Sequence, residues 1–415
     1  MFESLSTWLK SVALSAACIV VALCVLRLSL LAQAHQGLIA SAQGPSSIGM
    51  NVAAPSEQAC QARANNTPER LLECIQQPSL WSHLAQFQKI SDEHPGPDGH
   101  GNRDTGTAGY KASVDYVAKL MRQAGYRVTI QTYQFNASEV TGVPKFSMPD
   151  QSDAVTRDWF VAQRPGQLVV DYNLIAESPF GDPNHVVVVE AHLDSIFGAG
   201  MLDNASGSTT ILEIALNMAK TPTRNQLRYI WFGGEEIGLF GSAYYTTHLS
   251  SAERKRIAFD IDMDVTATPN FDIWIADPAF AVNVGQFPQN VVPQSKIGNQ
   301  FFKDFFNSVG IVSQSSTFGN SGTDSNSFAL IGIPDSGILT RQDCCKGQSE
   351  VAIWGGFLGN YEGTIPGSDG GCVDRPNLWC DNLSNNDPFV FGLASKASAF
   401  VTLKLANHLF KANHS

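Results

Sequence analysis

Positive charge is what this sequence has least of. Its 27 lysines and arginines face 38 aspartates and glutamates, leaving a formal net charge of −11. A chain that binds nucleic acid needs a basic face, so no nucleic-acid partner is expected. Charged residues of both signs make up only 16% of the 415 residues and hydrophobic ones 43%. That balance excludes a disordered chain and supplies core for one large or two ordinary domains. No internal repeat is visible, so solenoids and propellers drop out. Histidine is scarce too: nine occur, and none lies between His248 and His408.

Near the N-terminus even the apolar run is short. Sixteen uncharged residues, 11–26, separate Lys10 from Arg27, fewer than the roughly 18 to 20 that a bilayer span requires. With the small-x-small sequence Ala32-Gln33-Ala34 behind it, the segment reads as a signal peptide over residues 1–34 and the mature chain as secreted. The alternative is an uncleaved membrane anchor with an extracytoplasmic domain, because the run resumes after Arg27. Of eight cysteines, Cys18 and Cys24 belong to this segment. The other six fit disulfides in an oxidising compartment, and close spacing pairs Cys60 with Cys74 and Cys372 with Cys380. Residues 35–67, rich in Ala, Gln, Ser and Asn, read as a linker ahead of one domain over 68–412.

Within that domain KASVDYVAKLMRQAG has helical periodicity and stops at Gly125. The runs LVVDYN, HVVVVEAH, QLRYIWF and RIAFDID are continuously apolar in their centres, as strands covered on both faces are, and helical stretches separate them. The expected fold class is α/β, a three-layer sandwich around a mostly parallel central sheet. Such sheets bind ligands at the carboxyl ends of their strands. His192 and Asp194 follow one strand; Glu235 and Glu236 follow another after two glycines; Asp262 and Asp264 close a third; Asp203 lies between the first two. One imidazole and several hard oxygen ligands converging on one edge are what a hydrolytic zinc site needs.

Taken together, HLDS, GAGMLDNASG, GGEEIGLFGS and DVTATPN resemble the motifs of the co-catalytic zinc aminopeptidases, the family of secreted bacterial aminopeptidases and aminopeptidase Y-like exopeptidases. The likeness spans about residues 68 to 410, without the protease-associated domain insertion that many members carry. It implies a zinc-exopeptidase architecture of the phosphorylase/hydrolase type, and residue roles to match. His192, Asp203, Glu236 and Asp264 would be metal ligands, Asp203 bridging two zinc ions. Asp194 would orient His192, and Glu235 would act as general base on a zinc-bound water. Asp262 competes with Asp264 for the last carboxylate role; Asp264 is favoured because it aligns without a gap.

The pattern breaks near the C-terminus. The family's last ligand is a histidine three residues before a Cys-Asp pair, and here Asn377 stands three residues before Cys380. Leu202 stands where the family has asparagine. The resemblance therefore implies one Zn²⁺, with a second possible, and an aminopeptidase acting on peptide substrates. The alternative is a catalytically impaired relative that binds peptides or a partner protein.

Overall fold

The computed structural model describes residues 54–96, 99–142, 160–196, 198–316, 322–341, 346–358 and 381–410. The expected signal peptide, most of the expected linker, Asn377 and the cysteines at 344, 345, 372 and 380 lie outside these residues. Eight strands form one sheet: β1 (Arg127–Asn136), β2 (Leu168–Glu177), β3 (Asp182–His192), β4 (Asn225–Phe232), β5 (Ile257–Met263), β6 (Trp274–Ala276), β7 (Gln314–Ser316) and β8 (Asp335–Leu339). Their order is β1-β2-β4-β3-β5-β8-β6-β7. The central four, β4, β3, β5 and β8, run parallel. β2 pairs antiparallel with both β1 and β4, and β6 joins β8 antiparallel while carrying β7 parallel.

Why β3 sits in the middle is plain from its residues. Val186, Val187, Val188 and Val189 are all fully buried, which requires a layer on each face. On one face Val187 and Val189 join a core with α5 (Ala205–Met218), α8 (Val291–Ser308) and α11 (Pro388–Ala406). On the other, Val186 and Val188 meet Tyr245 of α6 (Phe240–Thr247) and Phe328 of α9 (Ser325–Leu330). The sandwich expected from the sequence is the one observed. Helix α11 is long and apolar enough to cross a membrane, but 67% of its apolar window is buried inside the protein; it is a core helix of this body.

The helices that carry function-bearing loops begin and end where local chemistry dictates. Helix α4 (Ala108–Ala124) starts at Thr107, whose side chain accepts from the Tyr110 amide, and stops at Gly125 with φ 98, a left-handed conformation that glycine adopts without penalty. At the N-terminal side the sequence reading needs correction. Residues 57–67 belong to the body, because α1 (Glu57–Gln61) is capped by Ser56 and buries Cys60, which is disulfide-bonded to Cys74. Asn65 then ties the segment to α5, donating to the Asn217 carbonyl at 2.7 Å. Polar composition hid this, since a cap, a disulfide and one buried amide hold the segment rather than an apolar stripe.

A charge lies buried in this helical layer. Glu213 of α5 accepts from Ser79 at 2.8 Å and from Asn217 at 3.0 Å, with His83 Nε2 at 3.6 Å. Burial raises the Glu213 carboxyl from its ordinary 4.5 to about 7. Between those values the folded protein keeps a proton that the unfolded chain has released, so this group's contribution to stability is full below about pH 4.5 and is lost as pH rises through about 7. Glu213→Gln is expected to raise the stability at pH 8 by on the order of 2 kcal/mol, with the gain vanishing near pH 5. Denaturant melts of both proteins at the two pH values check this, and a pH-independent difference would refute it.

Candidate metal centre

Strand register assembles the site. β3 lies between β4 and β5, with His192 paired to Phe232 and Glu190 paired to Asp262. His192 is two residues beyond Glu190, so Asp264, two beyond Asp262, comes level with it on the same face. Asp262 sits one rung deeper, beside Glu190. This register is what separates the two aspartates that sequence parity alone leaves equivalent. His192 Nε2 lies 3.1 Å from Asp203 Oδ1, 3.4 Å from Asp264 Oδ1 and 3.9 Å from Glu235 Oε2.

Among the described residues two groups of three could hold a metal ion. The ligand atoms of His192, Asp203 and Glu236 all lie within 4.8 Å of one another, and so do those of His192, Glu235 and Asp264. Glu236 Oε1 and Asp264 Oδ1 are buried without a hydrogen-bond partner, a costly state unless a cation is supplied. One imidazole and hard carboxylate oxygens are the donor set of catalytic zinc. The residues fit the ion.

Neighbouring turns hold these side chains in place. The Gly233-Gly234 turn after β4 admits no side chain at its first position, where a Cβ would fall 2.3 Å from Tyr110 Oη and 2.6 Å from Asp171 Oδ2. Asp194 is the hub below it. Its carboxylate accepts from Thr105 Oγ1 at 2.7 Å and from the amides of Glu235 and Glu236 at 3.4 Å each. Its carbonyl lies 3.2 Å from His192 Nδ1. Thr105 Oγ1 in turn accepts from the Gly234 amide at 3.1 Å. Asn204 locks Asp203 to the end of β5: its Oδ1 accepts from the amides of Gly207 (2.8 Å) and Val265 (3.1 Å), and its Nδ2 donates to the Met263 carbonyl at 2.9 Å. Val265, directly after Asp264, has φ 52. A β-branched residue there is strained by about 1–3 kcal/mol, a strain that tends to gather at functional sites.

Electrostatically the cluster asks for positive charge. Burial pushes the His192 imidazole pKa down, but Glu235, Asp194, Asp203 and Asp264 outweigh it and raise it well above its ordinary value. Burial and then the neighbouring carboxylates raise Glu235, with His192 opposing. Glu236 is raised by burial, then by Asp203. Behind this layer Asp324, wholly buried, is pushed up to about 7 by burial. Thr105, Asp381 and Asp324 escape a reading of the sequence: each stands in a polar loop with no periodic signal, and its partners lie far along the chain.

The comparisons with known proteins agree with this geometry. Residues 173–352 match the model of peptidase family M28. That stretch, a little under half of the chain, matches an M28 peptidase domain. It is 32% identical over 324 residues to leupeptin-inactivating enzyme 1 of Streptomyces exfoliatus, covering 77% of this chain and 59% of that protein. The chain spans less than two thirds of the length of the curated relatives it matches. Among solved structures, the chain resembles an aminopeptidase from Aneurinibacillus sp. strain AM-1 (TM-score 0.57, 15% identity, 84% of this chain and 98% of that one). It also resembles BSAP, a zinc aminopeptidase from Bacillus subtilis (TM-score 0.56, 16% identity, 80% and 96%). At such identities the likeness is one of fold.

An ion held only by the folded M28 domain stabilises it by mass action. Adding zinc to chelator-treated protein at about a hundred times its Kd is expected to stabilise by about 2.7 kcal/mol. For a domain of this size that is a rise of several degrees in the unfolding midpoint. Asp203→Ala should abolish the rise. An unmoved midpoint in the unmutated protein would mean that the cluster takes no zinc.

Proposed function

We propose that this chain is a zinc-dependent exopeptidase of the aminopeptidase type, hydrolysing N-terminal residues from peptides. The observation that carries the reading is the convergence of His192, Asp203, Glu235, Glu236 and Asp264, with a carboxylate pair set on a Gly-Gly turn against one imidazole. The M28 domain and relatives named aminopeptidase support it. His192, Asp203, Glu236 and Asp264 would hold the metal, one ion resting on His192, Asp203 and Asp264 and a second, where one binds, on Asp203 and Glu236. When bound, zinc supplies Lewis acidity that polarises a scissile carbonyl and makes water a nucleophile near neutral pH.

The chain's own groups do the rest. Glu235 is half-buried and its carboxyl holds a proton more firmly than an exposed glutamate, which suits a base that accepts a proton from water and returns it to the leaving amine. Asp194 keeps Glu235 and Glu236 in register through their amides and faces His192 Nδ1. The disulfide between Cys60 and Cys74 supports work outside the cytoplasm, as does the N-terminal leader read from the sequence.

Asn377 motivates a second reading, an impaired relative that binds peptides without cleaving them. Asparagine offers a far weaker ligand than the imidazole found there in the family. Hydrolysis of leucine p-nitroanilide distinguishes the two. Release is expected to be chelator-sensitive, and Glu235→Gln is expected to lower kcat about 10²- to 10⁴-fold while leaving zinc stoichiometry unchanged. Absence of release with zinc supplied would leave only the binding reading. Asn377→His is expected to raise zinc stoichiometry or turnover; no change in either would place Asn377 away from the metal.

A further inference from the structure

The loop that presents Asp203 is irregular backbone, and two buried charges hold it. We infer that Arg103 and Asp381 are positioning residues that clamp this loop from opposite sides and so set the metal-binding geometry of Asp203. The inference rests on the zinc reading above.

Arg103 is fully buried, and its guanidinium forks onto three backbone carbonyls. Nη1 donates to the Leu193 carbonyl at 2.7 Å, Nε to Ala199 at 2.7 Å and Nη2 to Gly200 at 2.8 Å. Asp381 takes the opposite side of the same loop. Its Oδ1 accepts from the Leu202 amide at 2.8 Å and its Oδ2 from the Asp203 amide at 3.0 Å, while its carbonyl accepts from Met201 at 3.2 Å. Asn385 steadies Oδ1 from behind at 3.2 Å.

Between them the cation takes the Leu193, Ala199 and Gly200 carbonyls and the anion takes the Leu202 and Asp203 amides. Gly200 sits at φ +58 with Ser195 so near that an added Cβ would fall 2.2 Å away, and its carbonyl also accepts from the Ala205 amide at 3.0 Å. Buried peptide groups must be paired, and ionised partners bind them more strongly and with firmer direction than neutral ones. Burial lowers the Arg103 pKa to about 10, and Asp381 is the first of the carboxylates that counter this. The two side chains act on the same loop without touching each other. Simple scaffolding would need neither charge: a loop this tight could be held by serine and asparagine side chains, as Asn204 holds the next turn. What a charge pair adds is fixed placement of the residue between them, and that residue is Asp203, 3.1 Å from His192.

The test compares zinc affinity with folding. Apo protein is titrated with zinc in a chelator-buffered series, stoichiometry and Kd are measured, and unfolding midpoints are recorded without metal. Asp381→Asn should weaken zinc binding by roughly 10- to 100-fold and lower kcat at saturating zinc, with KM for leucine p-nitroanilide nearly unchanged and the metal-free midpoint altered by only a few degrees. Arg103→Lys, which keeps the charge but not the three-way fork, should weaken zinc in the same sense. It also carries the test if Asp381→Asn does not fold. In the double variant the loss should fall well below the product of the two single losses, because both hold one loop. Folded variants that bind zinc as the unmutated protein does would overturn the inference, as would single losses that simply multiply. Failure of the unmutated protein to bind zinc would instead strike the zinc-exopeptidase reading itself.

Discussion

The site is arranged around carboxylates that face one buried imidazole from a corner only partly open to water. Asp203, Glu235, Glu236 and Asp264 surround His192, which is 1% exposed. Like charges so placed repel strongly, and burial removes the water that would screen them. Such a cluster persists only if something positive is nearby, a proton on His192 or a cation, and if the surrounding structure prevents the groups from swinging apart. The fold meets the second requirement with parallel strands of matched register. Three neighbouring strands end together, and a one-residue slip in β5 would carry Asp264 to the opposite face of the sheet.

Register alone leaves the loops free, and polar side chains from distant segments fix them. Asp194 collects the Thr105 hydroxyl and the Glu235 and Glu236 amides. Asn204 joins the start of α5 to the end of β5, and Asp381 closes the Asp203 loop. Each of these side chains bonds to backbone, so each positions a ligand without competing for the metal. Because their partners are amides and carbonyls, the bonds survive many changes of neighbouring side chain, and the ligand atoms stay free to face the ion.

That division explains what could be read from the sequence. The four valines of β3 announce a doubly covered strand, and the motifs at its end and at the ends of β4 and β5 announce the residues that converge on His192, because both signals are local. Helix α1 was misread as linker because five residues capped by Ser56 carry no period. Asp262 and Asp264 share a strand face, so in the sequence only a gapless alignment ranks them, and in the fold the pairing of Asp262 with Glu190 sets them apart. Arg103, Thr105 and Asp381 lie about 90, 89 and 179 residues from the groups they bind. No window of sequence contains both partners, and a buried arginine looks like a surface one until the fold closes over it.

If Asn377 stands at the family's last ligand position, as the resemblance implies, it bears on the proposed site in one respect and leaves another alone. A metal-binding imidazole is neutral, so replacing it removes a donor atom and no charge. The carboxylates that call for cations are all retained, and their mutual repulsion is as large as before. Under the zinc reading, the position centred on Glu236 therefore keeps its attraction for a divalent ion and loses part of its grip and its geometric selectivity. An ion there would exchange readily and answer to the metal supply, while the position on His192, Asp203 and Asp264 keeps one imidazole and two carboxylates. Glu235, the proposed base, stands 3.9 Å from His192 on that fuller side. Under the proposed function, chemistry that needs one firmly held ion and one base keeps every residue it would use, and Asn377 bears only on the step that a second ion would assist.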